Sequence, residues 1–331
     1  MAGLAGWAGA ETRPRYGGTL RVEVRLPGDS ADPPQGGAGM ADLNTSFAIT
    51  QWDAGRQAVY EATESAAGGR PFLDRVEIVL ARPLRDQSTD LELGKADLVE
   101  LGPNELRRQP AGRKVWPSAP VRVLALVFGP RVDDPRVREA LSLAVDRGAI
   151  HRVLLQQQGE ISGALLPQWL SGYAFLFPAA ADGARARTLL SGLPAVSRTL
   201  TLSADDAAQR PIAERIALNA RDVGLSVMVV GGNAAAGNAD VRLAEFRIVS
   251  TDPARALTVV AAAIGATSPA RAATPEALLA AEKALLEGFR VVPLFHLPDV
   301  YGVSPKVKGG PGISPLGEWR FENLWMEGGR P

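Results

Sequence analysis

The stretch RTLTLSADDAAQRPIAERIALNARDVGLSVMVV, residues 198–230, reads as strand, helix, strand. RTLTL opens it as the first strand, and Pro211 suits the first helical turn. Ile212, Ile216, Ala220 and Val223 recur at helical spacing and form one apolar stripe, and Gly224 ends the helix. LSVMVV then supplies a second strand. Two strands joined through a helix lie parallel, by a right-handed crossover. This part of the chain is therefore expected to be α/β.

The pattern extends in both directions. VRVLALVF (121–128) is an almost continuous apolar run, which predicts a strand buried on both faces. Asp134 then suits an N-cap and Pro135 the first helical position. Val137, Leu141, Ala144 and Val145 share a face of this predicted helix, and Gly148 ends it. Downstream the punctuation repeats: Asp252-Pro253 opens a helix that Gly265 closes, and Thr274-Pro275 opens one that Gly288 closes. RVVPLF (290–295) returns to a strand.

The first hundred residues are strand-rich. GTLRVEVRL (18–26) alternates apolar and polar residues, and RVEIVLA (75–81) reads as another strand. Residues 27–46 are a loop by their Gly, Pro, Asp and Ser content, and Phe47–Tyr60 suits a hairpin around Asp53-Ala54-Gly55. LELGKADLVEL (91–101) reads as a short helix, a glycine stop and a short strand. The Pro- and Arg-rich residues 102–120 resemble a linker or crossover, and the Gly/Pro-rich tail from Val307 leads into WRFENLW. There is no internal repeat. A strand-rich start, a helix-rich middle and a return to strands predict two lobes joined by two crossovers, with a cleft between them.

Composition bounds the function. The 331 residues make about two domains at ~150 residues each. Lys+Arg and Asp+Glu balance at 36 each, so no global field favours nucleic acid or an anionic membrane. The absence of cysteine excludes disulfides, thiolate metal sites, a cysteine nucleophile and a lipid-modified N-terminal cysteine. The two histidines, His151 and His296, are far apart in sequence, and a zinc site would need carboxylates for most ligands. No metal and no cofactor are expected. No apolar run reaches the ~18 residues of a membrane span. Residues 2–10 are small and apolar, and Ala8-Gly9-Ala10 fits a small-x-small cleavage pattern before Glu11. Residues 1–10 thus read as a residual signal peptide or as a disordered Ala/Gly tail.

Nothing in the chain demands catalysis. Gly28-Asp29-Ser30 resembles an esterase nucleophile turn, but that chemistry usually places an Asp three residues before its His base. Gly148 and Pro293 hold those places here. There is no G-x-S-x-G elbow and no P-loop. Gly309-Gly310-Pro311-Gly312 has no helix after it and is not a dinucleotide fingerprint. Asp133-Asp134 and Asp205-Asp206 sit where helices start, as capping explains. His151 reads as a surface or cap residue. His296, at the end of an apolar strand, is either a hydrogen-bonded, partly buried histidine or a cleft residue. Aromatics concentrate in PQWLSGYAFLF (167–177), with Trp169, Tyr173, Phe175 and Phe177. On a loop this cluster lines a cleft; on a helix it is core.

Several segments together resemble the extracellular solute-binding proteins of family 5, the peptide/nickel-binding class that serves ABC importers. They are YGGTLRV (16–22), ADPP (31–34), FAITQWDAGRQAVYEATESAAGGRPFLDRVEI (47–78), LELGKADLVE (91–100), DDPRVREALSLAVDRGAI (133–150), RARTLL (185–190), IAERIALNARDVGL (212–225) and VVPLFHLPDVYGVSPKVKG (291–309). They are collinear with the family and span nearly the whole chain. Two departures stand out. Between Pro34 and Phe47 the chain lacks the long insertion that forms an extra subdomain of the first lobe. At FRIVSTDP (246–253), where peptide binders often read W-x-x-D-x-x-D-P, it has Phe246 and Val249 in place of the Trp and the ammonium-pairing Asp, and keeps Asp252-Pro253. Asp252 also suits a plain helix N-cap.

The resemblance implies an α/β, two-lobed periplasmic-binding-protein-like fold with a ligand cleft between the lobes. Residues 11–120 plus 288–331 are expected to form lobe one, and 121–287 lobe two. The implied protein is an exported monomer of the periplasm or exterior. It captures a small solute, peptide-like or other, by hinge closure and delivers it to ABC importer permease subunits. It meets the membrane only through the permease, and binds no nucleic acid. A ligand-sensing module on the same fold, without transport, is the alternative. Trp169, Tyr173, Phe175, Phe246, Val249, Asp252 and His296 are the expected ligand-binding residues; no catalytic role is expected.

Overall fold

A computed structural model describes residues 13–25, 43, 45–66, 68–204, 206–231, 238–267 and 274–327. The N-terminal segment 1–10, the turn Gly28-Asp29-Ser30, the ADPP segment and Asp205 lie outside these residues. The strand-rich half begins with β1 (Thr19–Glu23), the hairpin β2 (Phe47–Asp53) and β3 (Gln57–Ala62), and β4 (Arg75–Val79). Gly55 turns the hairpin at φ 77°, a conformation that favours glycine. Helix α1 (Leu84–Glu92) leads to β5 (Leu98–Glu100) and α2 (Pro103–Arg108).

Strand β6 spans Lys114–Phe128, so the stretch 102–120, expected as a linker or crossover, is a short helix and the first half of a long strand that passes between the halves. Its prolines mark a strand whose ladder is interrupted, not a connection without structure. The expected helix from Asp134 to Gly148 is also corrected. Helix α3 (Pro135–Ala144) ends where Val145 turns extended, and Asp146 starts α4 (Arg147–Val153) by accepting the Ala149 N–H at 2.8 Å. An aspartate that can cap a new helix competes with continuation of the old one.

The second half continues with β7 (Glu160–Ile161), α5 (Gln168–Ser171), α6 (Gly183–Leu190), β8 (Thr199–Ala204), α7 (Arg210–Asp222) and β9 (Ser226–Val230). As expected, β8 and β9 are parallel and joined through α7. Strand β10 (Val241–Arg247) and the helices Pro253–Ala263 and Pro275–Leu286 follow. Strand β11 (Val291–Val303) then returns to the first half, and β12 (Val307–Lys308) pairs with β13 (Trp325–Met326).

One mixed sheet runs β2-β3-β4-β1-β5-β11-β6-β10-β8-β9, with β7 also on β11. Its spine is the antiparallel pair β6–β11. Their register shifts between Pro293 and Phe295, between Leu297 and Pro298, and between Pro298 and Val300. Pro117, Pro120 and Pro298 lie in the same stretch and offer no N–H to the ladder. Bulges and missing donors make this the place where the sheet bends.

The bend has a measure. β1 and β8 stand five strand positions apart, which is roughly 24 Å in a flat sheet at ~4.8 Å per strand. Yet Arg25, just past β1, is ion-paired with Asp206, just past β8. The sheet therefore curls until the C-terminal ends of β1 and β8 face each other. β4 and β5 run parallel to β1, and β9 and β10 parallel to β8, so both walls of the opening are made of strand C-termini.

Three of the four apolar clusters among the described residues support this most directly. On one face of β6 and β10, Leu124, Leu126 and Leu243 pack with Val137, Leu141, Ile212 and Ile216. On the other, Val123, Ala125 and Phe246 pack with Leu165, Leu257 and Leu278. In the strand-rich half, Leu20, Val22, Tyr60 and Ile78 share a core with the C-terminal Trp319, Phe321, Leu324 and Met326. Trp319 stacks on Phe321 at 5.1 Å. Each such fully buried large side chain contributes about 1.5–3 kcal/mol over its exposed state.

Candidate functional site

A polar seam runs along the bend. Arg122 on β6 stands directly opposite Arg247 on β10 in the ladder. Two like charges so placed repel, and Asp299 of β11 resolves the conflict. Its Oδ1 lies 3.1 Å from Arg122 Nε and its Oδ2 2.7 Å from Arg247 Nη2. Glu245 takes the other side of Arg122 at 3.2 Å, and its Oε2 accepts from Gln209 Nε2 at 3.0 Å. Arg122 Nη2 also donates to the Pro298 carbonyl at 2.8 Å, and Arg247 Nη2 to the Leu316 carbonyl at 2.9 Å. Burial works against the Arg122 charge, but Glu245 and Asp299 more than offset it and hold the guanidinium protonated. At Gly317 (φ 78°) a Cβ would lie 2.5 Å from Asp299 Oδ2 and 2.6 Å from Arg247 Nη2, so only glycine leaves room for this pair.

The seam reaches the opening. The Arg25 N–H donates to Glu100 Oε2 at 2.6 Å, and the Glu100 N–H to Gln87 Oε1 at 2.8 Å. Burial pushes the Glu100 carboxyl above the usual carboxylate range, with the Arg25 N–H pulling the other way. Arg25 then crosses to Asp206.

A second cluster lies beneath the aromatic segment. Glu282 is fully buried. Its Oε1 accepts the N–H groups of Leu165 at 2.5 Å and Leu166 at 3.0 Å, and its Oε2 accepts the Tyr173 hydroxyl at 2.7 Å. Burial pushes the Glu282 carboxyl up, and the Tyr173 hydroxyl well above its ordinary value. His296 is buried with no partner at Nε2, and burial pushes its pKa down to about 4. Unfolded, it titrates near 6.5. The stability tied to neutral His296 is therefore complete above pH 6.5 and is lost as pH falls through 4. The expected loss across that window is about 3 kcal/mol. Urea denaturation at pH 7 and pH 4 checks this: His296→Gln should lose that part of the acid sensitivity, and an unchanged pH slope would exclude it.

The structure separates the residues expected from the sequence. Trp169 is exposed and anchored by its Nε1 to the Pro120 carbonyl at 3.0 Å, beside the bend. Phe175 is exposed, and Tyr173 is half-buried and tied to Glu282. Val249 is exposed just past β10. Asp252 caps the helix it opens, accepting from Ala254 N at 2.9 Å and Arg255 N at 3.3 Å. Phe246 and His296 are buried and present no open surface.

Phe246 lies between Glu245 and Arg247 on one strand, so it points to the opposite face. His296 stands opposite Val123 in register and shares that second face. The aromatic cluster and the polar seam are thus brought to the same bend on opposite sides of it. Arg25, Glu100, Arg122, Asp206, Glu245 and Asp299 were missed by sequence reasoning. One signal was available: Arg122 is a charge inside the apolar run VRVLALVF.

Among the described residues no group of three or more His, Asp or Glu side chains can hold a metal ion, and no helix is long and apolar enough to cross a membrane. A surface cavity of about 560 Å³ lies between α7 and β9, lined by Glu214, Leu218, Arg221 and Val227, away from the seam.

Two α/β halves, joined through long strands that bend at prolines, with strand C-termini facing across an opening, define a two-lobed periplasmic-binding-protein-like fold. Solved structures share this fold. The ABC transporter substrate-binding protein CtaP of Listeria monocytogenes superposes with TM-score 0.70 at 15% identity, over 87% of this chain and 69% of that one. NikA of Staphylococcus aureus, solved with Ni(L-His)2, gives 0.71 at 14% identity, over 87% and 71%. A dipeptide-binding protein of Pseudoalteromonas sp. SM9913, solved with Met-Leu, gives 0.72 at 15% identity, over 85% and 64%. The chain belongs to the bacterial extracellular solute-binding proteins of family 5, whose model matches residues 44–260. No curated protein matches it in sequence.

Proposed function

We propose that this chain is the exported, monomeric solute-binding component of an ABC importer. It acts by binding and not by catalysis, and delivers a small solute to the permease. The observation that carries this reading is the bent β6–β11 pair, which sets two walls of strand C-termini across one opening. Residues 11–120 with 288–331 form one lobe and 121–287 the other, and β6 and β11 are the hinge strands. Solute contacts in both lobes favour the closed state through their differential affinity. The cleft takes in both sides of the bend: the polar seam reaches its mouth at Arg25 and Asp206, and Trp169, Tyr173, Phe175, Val249 and Asp252 border it on the aromatic side.

The solute is not an ordinary dipeptide. Burying an ammonium without an acidic partner costs several kcal/mol. Val249 offers neither charge nor hydrogen bond, and Asp252 is already occupied by two backbone N–H groups. A thermal-shift panel tests this. A true ligand at ~100 times its Kd adds about 2.7 kcal/mol of stability. That corresponds to a Tm rise on the order of 5 °C for a chain of this size. Dipeptides are expected to give none. A dipeptide that gives the full rise, and still does in Asp252→Ala, overturns this substrate reading. Mass spectrometry of the solute that co-purifies identifies the ligand.

A further inference from the structure

We propose that Arg25 and Asp206 form an electrostatic latch that holds the cleft closed before any solute arrives. The inference rests on the hinge reading above. Arg25 and Asp206 are 181 positions apart in sequence, and they belong to walls joined through β6 and β11. Each partner is held in place by its own half. The Arg25 backbone N–H is fastened to Glu100 at the end of β5, and Asp206 Oδ1 accepts the Ala208 N–H at 2.8 Å. Asp206 Oδ2 is thereby left to face the Arg25 guanidinium.

The side chains are 35% and 33% exposed, so the pair sits at the rim, where it can form and break without burying a lone charge. Glu100 faces Arg25 from β5, and Gln209 ties the Asp206 side to Glu245 of the seam. The pair forms only when the walls meet.

An interaction made in one conformer alone shifts the equilibrium toward that conformer by its own worth. A solute that enters through the open form then binds with an apparent affinity reduced by the fraction of open protein. Salt screens an exposed pair, so high salt should open the cleft.

Because the chain has no cysteine, Leu93→Cys and Val196→Cys, both at exposed positions, give one dye site in each half. Single-molecule energy transfer on the full chain without added solute then reads the closed-to-open ratio. Arg25→Gln and Asp206→Asn are each expected to lower it about two- to fivefold, as is 1 M salt on the parent. The double variant should fall no further than either single one, because both remove the same pair. Circular dichroism confirms that all three are folded. If the halves interconvert but the single variants leave the ratio unchanged, or if their effects add, the latch is wrong and the hinge stands. A single unchanging distance in every variant and at every salt overturns the hinge reading, and the latch with it.

Discussion

Glu282→Ala is expected to lower the unfolding free energy by about 4 kcal/mol. The carboxylate is fully buried and takes three donors: Leu165 N–H, Leu166 N–H and the Tyr173 hydroxyl. Alanine leaves the Leu165 and Leu166 N–H groups without partners where water does not reach, and takes the acceptor from the half-buried Tyr173 hydroxyl. Each unmade bond costs about 1–3 kcal/mol, and relief from burying the carboxyl offsets part of the sum. Glu282→Gln should cost only about 1 kcal/mol, because its carbonyl accepts both N–H groups and its amide can donate to Tyr173.

The pH dependence of this site is opposite in sign to that of His296. Burial raises the Glu282 pKa in the folded state, so the stability tied to its proton is complete below the ordinary glutamate value of 4.5 and is lost as pH rises through the folded value. In the neutral form the acid proton can point to Tyr173 and the other oxygen keeps both N–H groups. Urea titrations of the wild type and both variants from pH 4 to pH 8 measure these effects. A loss below 1 kcal/mol in the alanine variant would show that Glu282 does not hold the 164–173 segment down.

Arg122→Ala is expected to cost about 3 kcal/mol. Removing one partner of a fully buried ion pair costs about 3–5 kcal/mol. The lower end applies because Arg122 and Glu245 are each 25% exposed. Asp299 keeps Arg247, but Glu245 keeps only Gln209, and the Pro298 carbonyl loses its donor. Arg122 ties β10 to β11 across its own strand at the bend, so its loss also removes the clamp that sets the bend. Denaturation with circular dichroism checks the energy. Arg122→Met, which keeps much of the volume, should lose nearly as much. If methionine restores wild-type stability, the contribution is packing and not charge.

Much of the fold was legible because local signals carried it. Asp134, Asp252 and Thr274 each cap the helix they were expected to open. The apolar stripe of 212–223 is buried as its spacing required, and β8 and β9 are parallel around it. Local signals failed where two of them competed. Asp146 outweighed the apolar face that ran on to Val145, and the prolines of 117–120 disguised a strand as a linker.

The sites were less legible. Phe246 was singled out while its neighbours Glu245 and Arg247 were passed over, although alternation along a strand gives adjacent residues opposite faces. A strand buried on both faces does not announce which parity meets the cleft. Glu282 looked like any helix carboxylate, since its three donors come from 109 to 117 positions away.

The chain's order of residues by itself determined the α/β class, the main helices and their caps, and the collinear motifs of the family. Those depend on contacts within a few residues, where periodicity and capping act. The tertiary structure alone decided where the sheet bends, which strand ends meet, and that Arg25 reaches Asp206. Those depend on how bulges in β6 and β11 sum into a curl. No local pattern records the distance that such a curl closes.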